Sequence, residues 1–207
     1  MRPREPKTVS GFDNRLIASL IPPGSRVLDL GCGEGDLLEL LVREKGVQGS
    51  GVEIDEEAIY RCVEKGLSVS RLDIDSGLDD FPDGFFDYVI FNQVLEQILY
   101  PRRALLQGLR VGRRVIVGFP NFCHWTLRLR ILFRGRVPVG PALPYEWYDS
   151  PNLHFLSVKD FLDFCAREGL TVESRFFLAA GRRVRLLPNL RAQKTILCLS
   201  RPLPPGS

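Results

Sequence analysis

The sequence predicts an α/β fold: a doubly wound, mainly parallel sheet of seven strands with helices on both faces and an antiparallel strand at its C-terminal end. Three observations carry this expectation. The strand-like runs "RVLDL" and "FFDYVIFN" are largely apolar, as strands covered on both faces must be. Most runs in the first half are followed by a helical pattern, so strand–helix–strand units recur. The last two runs, "LTVESRFFLA" and "QKTILCLS", have only an arginine-rich loop between them, which makes that pair antiparallel.

Residues 1–12 read as a flexible arm. A helix follows over "FDNRLIASLI", with Asp13 as its candidate N-cap, and Pro22-Pro23-Gly24 stops it. "RVLDL" is the first strand. "DLLELLVREK" is a helix closed by Gly46. "GSGVEI" leads to a helix capped by Asp55, with Glu56 and Glu57 at its positive end and Gly66 closing it. "LSVSRLD" and "FFDYVIFN" are strands. Pro101 opens a helix that Gly112 ends, and "RRVIVGF" is the next strand. Regularity is expected to lapse from about 120 to 156. It resumes with Ser157 capping "VKDFLDFCARE", whose apolar face is Phe161, Leu162, Phe164 and Cys165. No linker divides the chain, so residues 13–200 read as one domain with an insertion at 120–156, and 201–207 as a tail.

Length and composition agree with this reading. The chain has 207 residues, 44% hydrophobic and 26% charged, an ordinary globular balance. A net charge of +3 admits an anionic ligand, whereas a dedicated nucleic-acid binder has a clearer basic face. No apolar run approaches the roughly 18 residues that span a bilayer. The polar start "MRPREPKTVSGFDNR" lacks the apolar core of a signal peptide. The five cysteines are scattered without a CxxC pair and read as free thiols, so a reducing cytoplasm is expected.

The chemistry concentrates in "VLDLGCGEGDLL", where a strand turns into a helix. Gly31, Gly33 and Gly35 let backbone approach a ligand, and the helix start favours a negative group. Such turns also serve nicotinamide and flavin enzymes. Glu53 narrows the choice: it ends the second strand about 20 residues on, where a carboxylate accepts from ribose hydroxyls. Asp73 ends the third strand, placed to accept from an adenine amino group, with Ile54 and Ile74 beside the purine. Asn92 ends the fourth. Each has a plainer reading: Asp29 holding the loop, Glu53 capping a helix, Asp73 making a turn.

In this order, "VLDLGCGEG", "GVEID" and Asp73 resemble the class I S-adenosylmethionine-dependent methyltransferases over Arg26 to Val117, a Rossmann-like fold. The resemblance implies that Gly31 and Gly33 approach the methionine part of S-adenosylmethionine (or S-adenosylhomocysteine), with Asp29 and Cys32 of the same loop also among the cofactor-binding residues. It also implies that Glu53 binds the ribose and that Asp73 and Ile74 hold the adenine. "GLRVGRRVIVGFPNFCHW", "LFRGRVPVG", "LPYEWYDSPNLHF" and "SVKDFLDFC" are similar to the methionine biosynthesis protein MetW family, over nearly all of Asn14 to Ser200. That family implies a methyltransferase-like fold and a partner, homoserine O-acyltransferase, whose activity it supports.

A catalytic base is less legible. Methyltransferases of this class often place an acid and then a histidine after the fourth strand; here the stretch is "NQVLEQILYP", with Gln97 at the histidine's place. His124, Tyr145 and His154 are the remaining candidates, with Glu96 and Glu146 nearby in sequence. The two histidines are too far apart, and too poorly supported by cysteines or acids, to propose zinc. Their plainer role is to fix loops by hydrogen bonds. Tyr145, Trp147 and Tyr148 pack the insertion, stack on a ligand or meet a partner. The arginines of "WTLRLRILFRGR" make a solvated rim or a partner surface. The leading expectation is a cofactor-binding protein that supports or regulates the acyltransferase. The alternative is an active methyltransferase on a small molecule. A nucleic-acid methyltransferase is disfavoured, since no "NPPY"-type loop follows the fourth strand.

Overall fold

The computed structural model describes residues 7–140, 143 and 145–201, with side chains described from residue 13 onward. The described strands form one sheet, lying side by side in the order 68–71, 48–53, 26–30, 86–92, 112–120, 194–200, 171–179 and 182–183. The described residues fall into two compact units: those up to Asn92 with Arg102–Ile116, and Gln93–Pro101 with those from Val117 onward.

The first unit contains α1 (Lys7–Leu20), β1 (Arg26–Leu30), α2 (Asp36–Lys45), β2 (Gln48–Glu53), α3 (Glu56–Glu64), β3 (Ser68–Arg71) and β4 (Phe86–Asn92). Helix α4 (Pro101–Val111) then leads into β5 (Gly112–Pro120). Pairs β1–β2, β1–β4 and β2–β3 are parallel, as the recurring strand–helix–strand pattern requires. Local chemistry sets the ends. Gly46 closes α2 in the left-handed conformation, and its N–H bonds the Val42 carbonyl. Asp55 accepts from the Ala58 N–H at 3.0 Å and caps α3. Leu37, Leu38 and Leu41 bury one face of α2, and Ala104, Leu105 and Leu109 one face of α4. Arg110 donates to the carbonyls of Leu78 and Phe81 at 2.8 and 3.0 Å and to Asp83. It thereby clamps the β3–β4 connection, a role that its position at a helix end did not reveal. Helix α1 starts at Lys7, ahead of the expected Phe12. Asp13 therefore lies inside it as a buried residue and is not its N-cap. Residues 1–6 of the expected arm lie outside the described residues, as do 202–207 of the expected tail.

The second unit contains α5 (Trp125–Arg134), α6 (Val158–Arg167), β6 (Thr171–Ala179), β7 (Arg182–Arg183), α7 (Pro188–Arg191) and β8 (Lys194–Ser200). Ser157 caps α6, its hydroxyl accepting from the Asp160 N–H at 3.1 Å. β6 and β8 pair antiparallel, as expected. The sheet has eight strands, not seven: Ala180 and Gly181, both at positive φ, form a two-residue turn that folds Arg182–Arg183 back onto β6. The 120–156 stretch is not wholly irregular, because it holds α5. Buried Asn121 anchors its entrance, donating to the carbonyls of Ala192 and Asn189 at 2.8 and 3.1 Å. The Cys123 N–H donates to the Asn121 side-chain oxygen. All five cysteines are free. Among the described residues no helix is long and apolar enough to cross a membrane.

Candidate functional site

The sheet register gathers the site residues of the first unit. Leu30 stands opposite Val52 on β2 and Phe91 on β4. Gly31, Glu53 and Asn92 are therefore each one residue further on, at the carboxyl ends of three neighbouring strands. Glu53 pairs with Arg71 of β3, and Asp73 lies two residues beyond. Chain order runs outward from β1 to β3 on one side and from β4 onward on the other. The ends of β1, β2 and β4 thus meet at the switch point, where open α/β sheets bind ligands.

Glu53 organises this place. Its Oε2 accepts the Gly33 N–H at 2.8 Å; its Oε1 accepts from Ile54 and Asp55 at 2.8 and 3.0 Å. The carboxylate is buried and has closed the glycine turn onto β2. A carboxylate oxygen takes two donors, so Oε2 keeps one acceptor position for a ligand hydroxyl. The loop-holding role expected of Asp29 thus falls to Glu53, and this geometry is compatible with its accepting a ribose hydroxyl as well.

Asp29 is 3% exposed, and no described residue donates a hydrogen bond to it. Burial, and secondarily the Glu53 carboxylate, push its pKa up to about 7. A buried acid without a donor suits a cationic ligand group.

The glycines divide by role. Gly33 sits at φ +55°, and a side chain there would meet nothing within 4 Å: its open face is free for a ligand. At Gly35, a Cβ would lie 2.6 Å from Leu67 Cδ1 and 2.8 Å from Cys62 Sγ. Gly35 thus serves close packing of the turn on α3. Gly31 has φ +70°. Cys32 turns its thiol away under the loop, against the Leu38–Cys62–Leu67 cluster, and burial keeps that thiol protonated. Only its backbone is placed to face a ligand. Lys65 holds the loop from outside, donating to the Glu34 carbonyl at 2.7 Å and Asp36 at 2.6 Å. Arg61 bonds Glu34 as well. These two latches were not legible in the sequence, where they appear only as charges on a solvated helix.

Ile54 is 49% exposed and offers an apolar face. Ile74 is buried in a short 3₁₀ turn, covered rather than open. Asp73 caps that turn through one oxygen, accepting from Asp75 at 3.0 Å, and is exposed. Asn92 is half-buried at the end of β4.

The candidate bases belong to the second unit. His124 caps α5: its Nδ1 accepts from the Thr126 N–H at 3.4 Å, beside the Thr126 hydroxyl at 2.7 Å. Burial lowers its pKa, opposed in part by a hydrogen bond to the Arg191 backbone. His154 donates from Nε2 to the Ile98 carbonyl at 3.0 Å, and its N–H bonds the Glu96 carbonyl at 3.1 Å. Both histidines therefore make loop-fixing bonds. Tyr145 is half-buried at a bend, Glu146 is exposed, and Glu96 is buried. Gln97 donates to the Gln93 carbonyl at 3.2 Å. Among the described residues no group of three or more His, Cys, Asp or Glu is arranged to hold a metal ion.

Fold and switch-point site define a class, that of the S-adenosylmethionine-dependent methyltransferase fold. The PH0226 protein of Pyrococcus horikoshii superposes with TM-score 0.69 at 18% identity, covering 95% of this chain and 91% of that one. A TehB-like S-adenosylmethionine-dependent methyltransferase of Corynebacterium glutamicum gives 0.63 at 18% identity, over 92% and 88%. Magnesium protoporphyrin IX methyltransferase of Synechocystis, solved with bound S-adenosylhomocysteine, gives 0.63 at 19% identity, over 95% and 83%. Residues 12–199 match the family described as methionine biosynthesis protein MetW, and the chain belongs to that family. A bifunctional methionine biosynthesis protein MetXA/MetW of Rhodopirellula baltica is 32% identical over 202 residues, 91% of this chain and 32% of that protein. A ribosomal protein L11 methyltransferase of Burkholderia mallei is 33% identical over 97 residues, 46% of this chain and 32% of its own length. The chain thus spans about a third of the length of these curated relatives.

Proposed function

We propose that this protein binds S-adenosylmethionine at the β1–β2–β4 strand ends and acts with homoserine O-acyltransferase, supporting or regulating its activity in methionine synthesis. The observation that carries the cofactor reading is the Glu53–Gly33 contact, which leaves one carboxylate position open beside the bare face of Gly33. Glu53 would receive a ribose hydroxyl there, and Asp29 would face the cationic amino group of the methionine part. Ile54 would lie against the purine, and Asp73 would offer its uncommitted oxygen to the adenine amino group. Gly31, Cys32 and Asn92 would complete the site by backbone and half-buried edge. When bound, S-adenosylmethionine supplies a methyl group already activated on a sulfonium. The chain's own residues bind and orient it, and no proton transfer need be assigned to them. The loop-fixing bonds of His124 and His154 favour a binding and regulatory role over a transferase that relies on a histidine base.

Support for the partnership comes from the Rhodopirellula baltica relative, where a chain like this one is fused in one polypeptide with a portion called MetXA. Homoserine O-acyltransferase turnover, measured with and without this protein and with and without S-adenosylmethionine, tests the proposal. Association with a change in turnover is expected. Neither association nor change would overturn it. A labelled product from labelled cofactor and cell metabolites would favour the methyltransferase reading instead.

A further inference from the structure

Helix α5 is oriented the wrong way round for a core helix. Of its ten residues only Leu127 is buried, in a small cluster with Phe122 and Leu143. On the opposite side Trp125, Leu129, Leu132 and Phe133 are 47, 41, 72 and 78% exposed. Their spacing of i, i+4, i+7 and i+8 makes one continuous outward stripe. Leu132 and Phe133 therefore contribute little to the packing of their own unit, and Trp125 and Leu129 are only partly covered.

The charge beside the stripe has one sign and one chemistry. From Trp125 to Gly140 the chain has four arginines, Arg128, Arg130, Arg134 and Arg136, and no lysine, aspartate or glutamate. Arg130 is oriented by donating to the Val139 carbonyl at 3.1 Å. Arg134 and Arg136 have no ion pair or hydrogen bond among the described residues. With Arg130, Val137, Pro138 and Val139 they line a recess of about 250 Å³. Aromatic residues and arginine with lysine absent is the composition of the energetic centre of a protein interface. Planar guanidiniums around a recess match carboxylates, which they bind bidentately.

We infer that the α5 stripe and the adjoining arginine recess are the dock for an acidic-rimmed apolar patch of the partner protein. This rests on the acyltransferase partnership proposed above and gives it a place on this chain. Trp125, Leu129, Leu132 and Phe133 supply the dry centre, and the Arg130–Arg134–Arg136 recess receives one or more partner carboxylates. A membrane surface is the weaker occupant. Interfacial helices are typically rich in lysine as well as arginine, and this one has no lysine. A fused relative shows that a chain of this family resides beside a second protein.

The test uses the full chain with the homoserine O-acyltransferase of the same genome, and compares three variants by equilibrium binding. Leu132→Asp with Phe133→Asp is expected to weaken binding at least 100-fold with thermal unfolding unchanged. Arg134→Glu with Arg136→Glu is expected to weaken it at least 10-fold and to flatten its salt dependence. Tyr60→Asp, exposed on α3, is expected to bind as the wild type does. If the wild type binds and both double variants bind equally well, the dock is elsewhere and the partnership stands. If the wild type does not bind, the partnership fails and the dock with it. Loss of self-association, or of sedimentation with anionic phosphatidylglycerol vesicles, without loss of partner binding would likewise overturn the inference.

Discussion

Glu53 Oε2 accepts the Gly33 N–H at 2.8 Å, joining the end of β2 to the glycine turn that follows β1. The same carboxylate takes the Ile54 and Asp55 N–H groups on its other oxygen. One side chain therefore shapes the loop and keeps an acceptor in reserve. Replacing Glu53 by Ala should have two separable effects. Orphaning these N–H groups should cost roughly 2 kcal/mol or more of stability in urea unfolding. Affinity for S-adenosylmethionine should fall by about 100-fold, close to 3 kcal/mol. A stability loss without an affinity loss would leave Glu53 a loop holder only.

Gly33 and Gly35 should separate in the opposite sense. Ala at Gly35 places a Cβ under 3 Å from Leu67 and Cys62 and keeps a strained φ of +77°. A loss of about 1–3 kcal/mol in stability is expected. Ala at Gly33 meets open space, so only the left-handed strain of about 1–2 kcal/mol applies. Its methyl group would stand in the ligand's path, and affinity should fall by about 10-fold or more. Thermal unfolding and calorimetry on the two variants check this crossed pattern.

Asp29 makes stability depend on pH. Its pKa rises from 3.8 to about 7, first by burial and then by Glu53. Between those values the folded protein holds a proton that the unfolded chain has released. The stabilisation is therefore fully present below 3.8 and is lost as pH rises through about 7. The change is on the order of 4 kcal/mol. Urea unfolding between pH 5 and 8 should show this slope, and Asp29→Asn should flatten it. If Asp29 meets the cofactor's amino group, binding near pH 7 should release a proton. Calorimetry in buffers of different ionisation enthalpy would detect it.

His124 and His154 are expected to act through structure. His124→Ala removes the cap of α5 and should cost about 1 kcal/mol, while His124→Asn, a good N-cap, should recover most of it. His154→Ala should cost about 1 kcal/mol through the lost Ile98 bond. Cofactor affinity should be unchanged in both. A large fall in a cofactor-dependent activity, with stability intact, would restore a histidine as a base.

What was legible in the sequence is local. Gly46, Asp55 and Ser157 end or start helices through contacts within a few residues, so their patterns carry their roles. Glu53 was legible by its distance from the glycine turn. Other features depend on packing. Helix α5 has a helical apolar period, but the period does not reveal that the stripe faces outward, and the segment lies in a stretch expected to be irregular. Asp13 reads as a cap, yet helix α1 continues upstream through a glycine, a poor helix former. Arg182–Arg183 becomes a strand only because Ala180 and Gly181 turn it back onto β6. The raised pKa of Asp29 follows from burial beside Glu53, and the Arg61 and Lys65 latches on Glu34 need α3 in place.

The β1–β2–β4 crevice is expected to bind S-adenosylmethionine. Calorimetric titration of the purified protein with S-adenosylmethionine, and in parallel with a reduced nicotinamide dinucleotide, tests it most directly. Saturable binding of S-adenosylmethionine that is lost in Glu53→Ala is expected, with no binding of the dinucleotide. Dinucleotide binding, or no S-adenosylmethionine binding by the folded wild type, would contradict it.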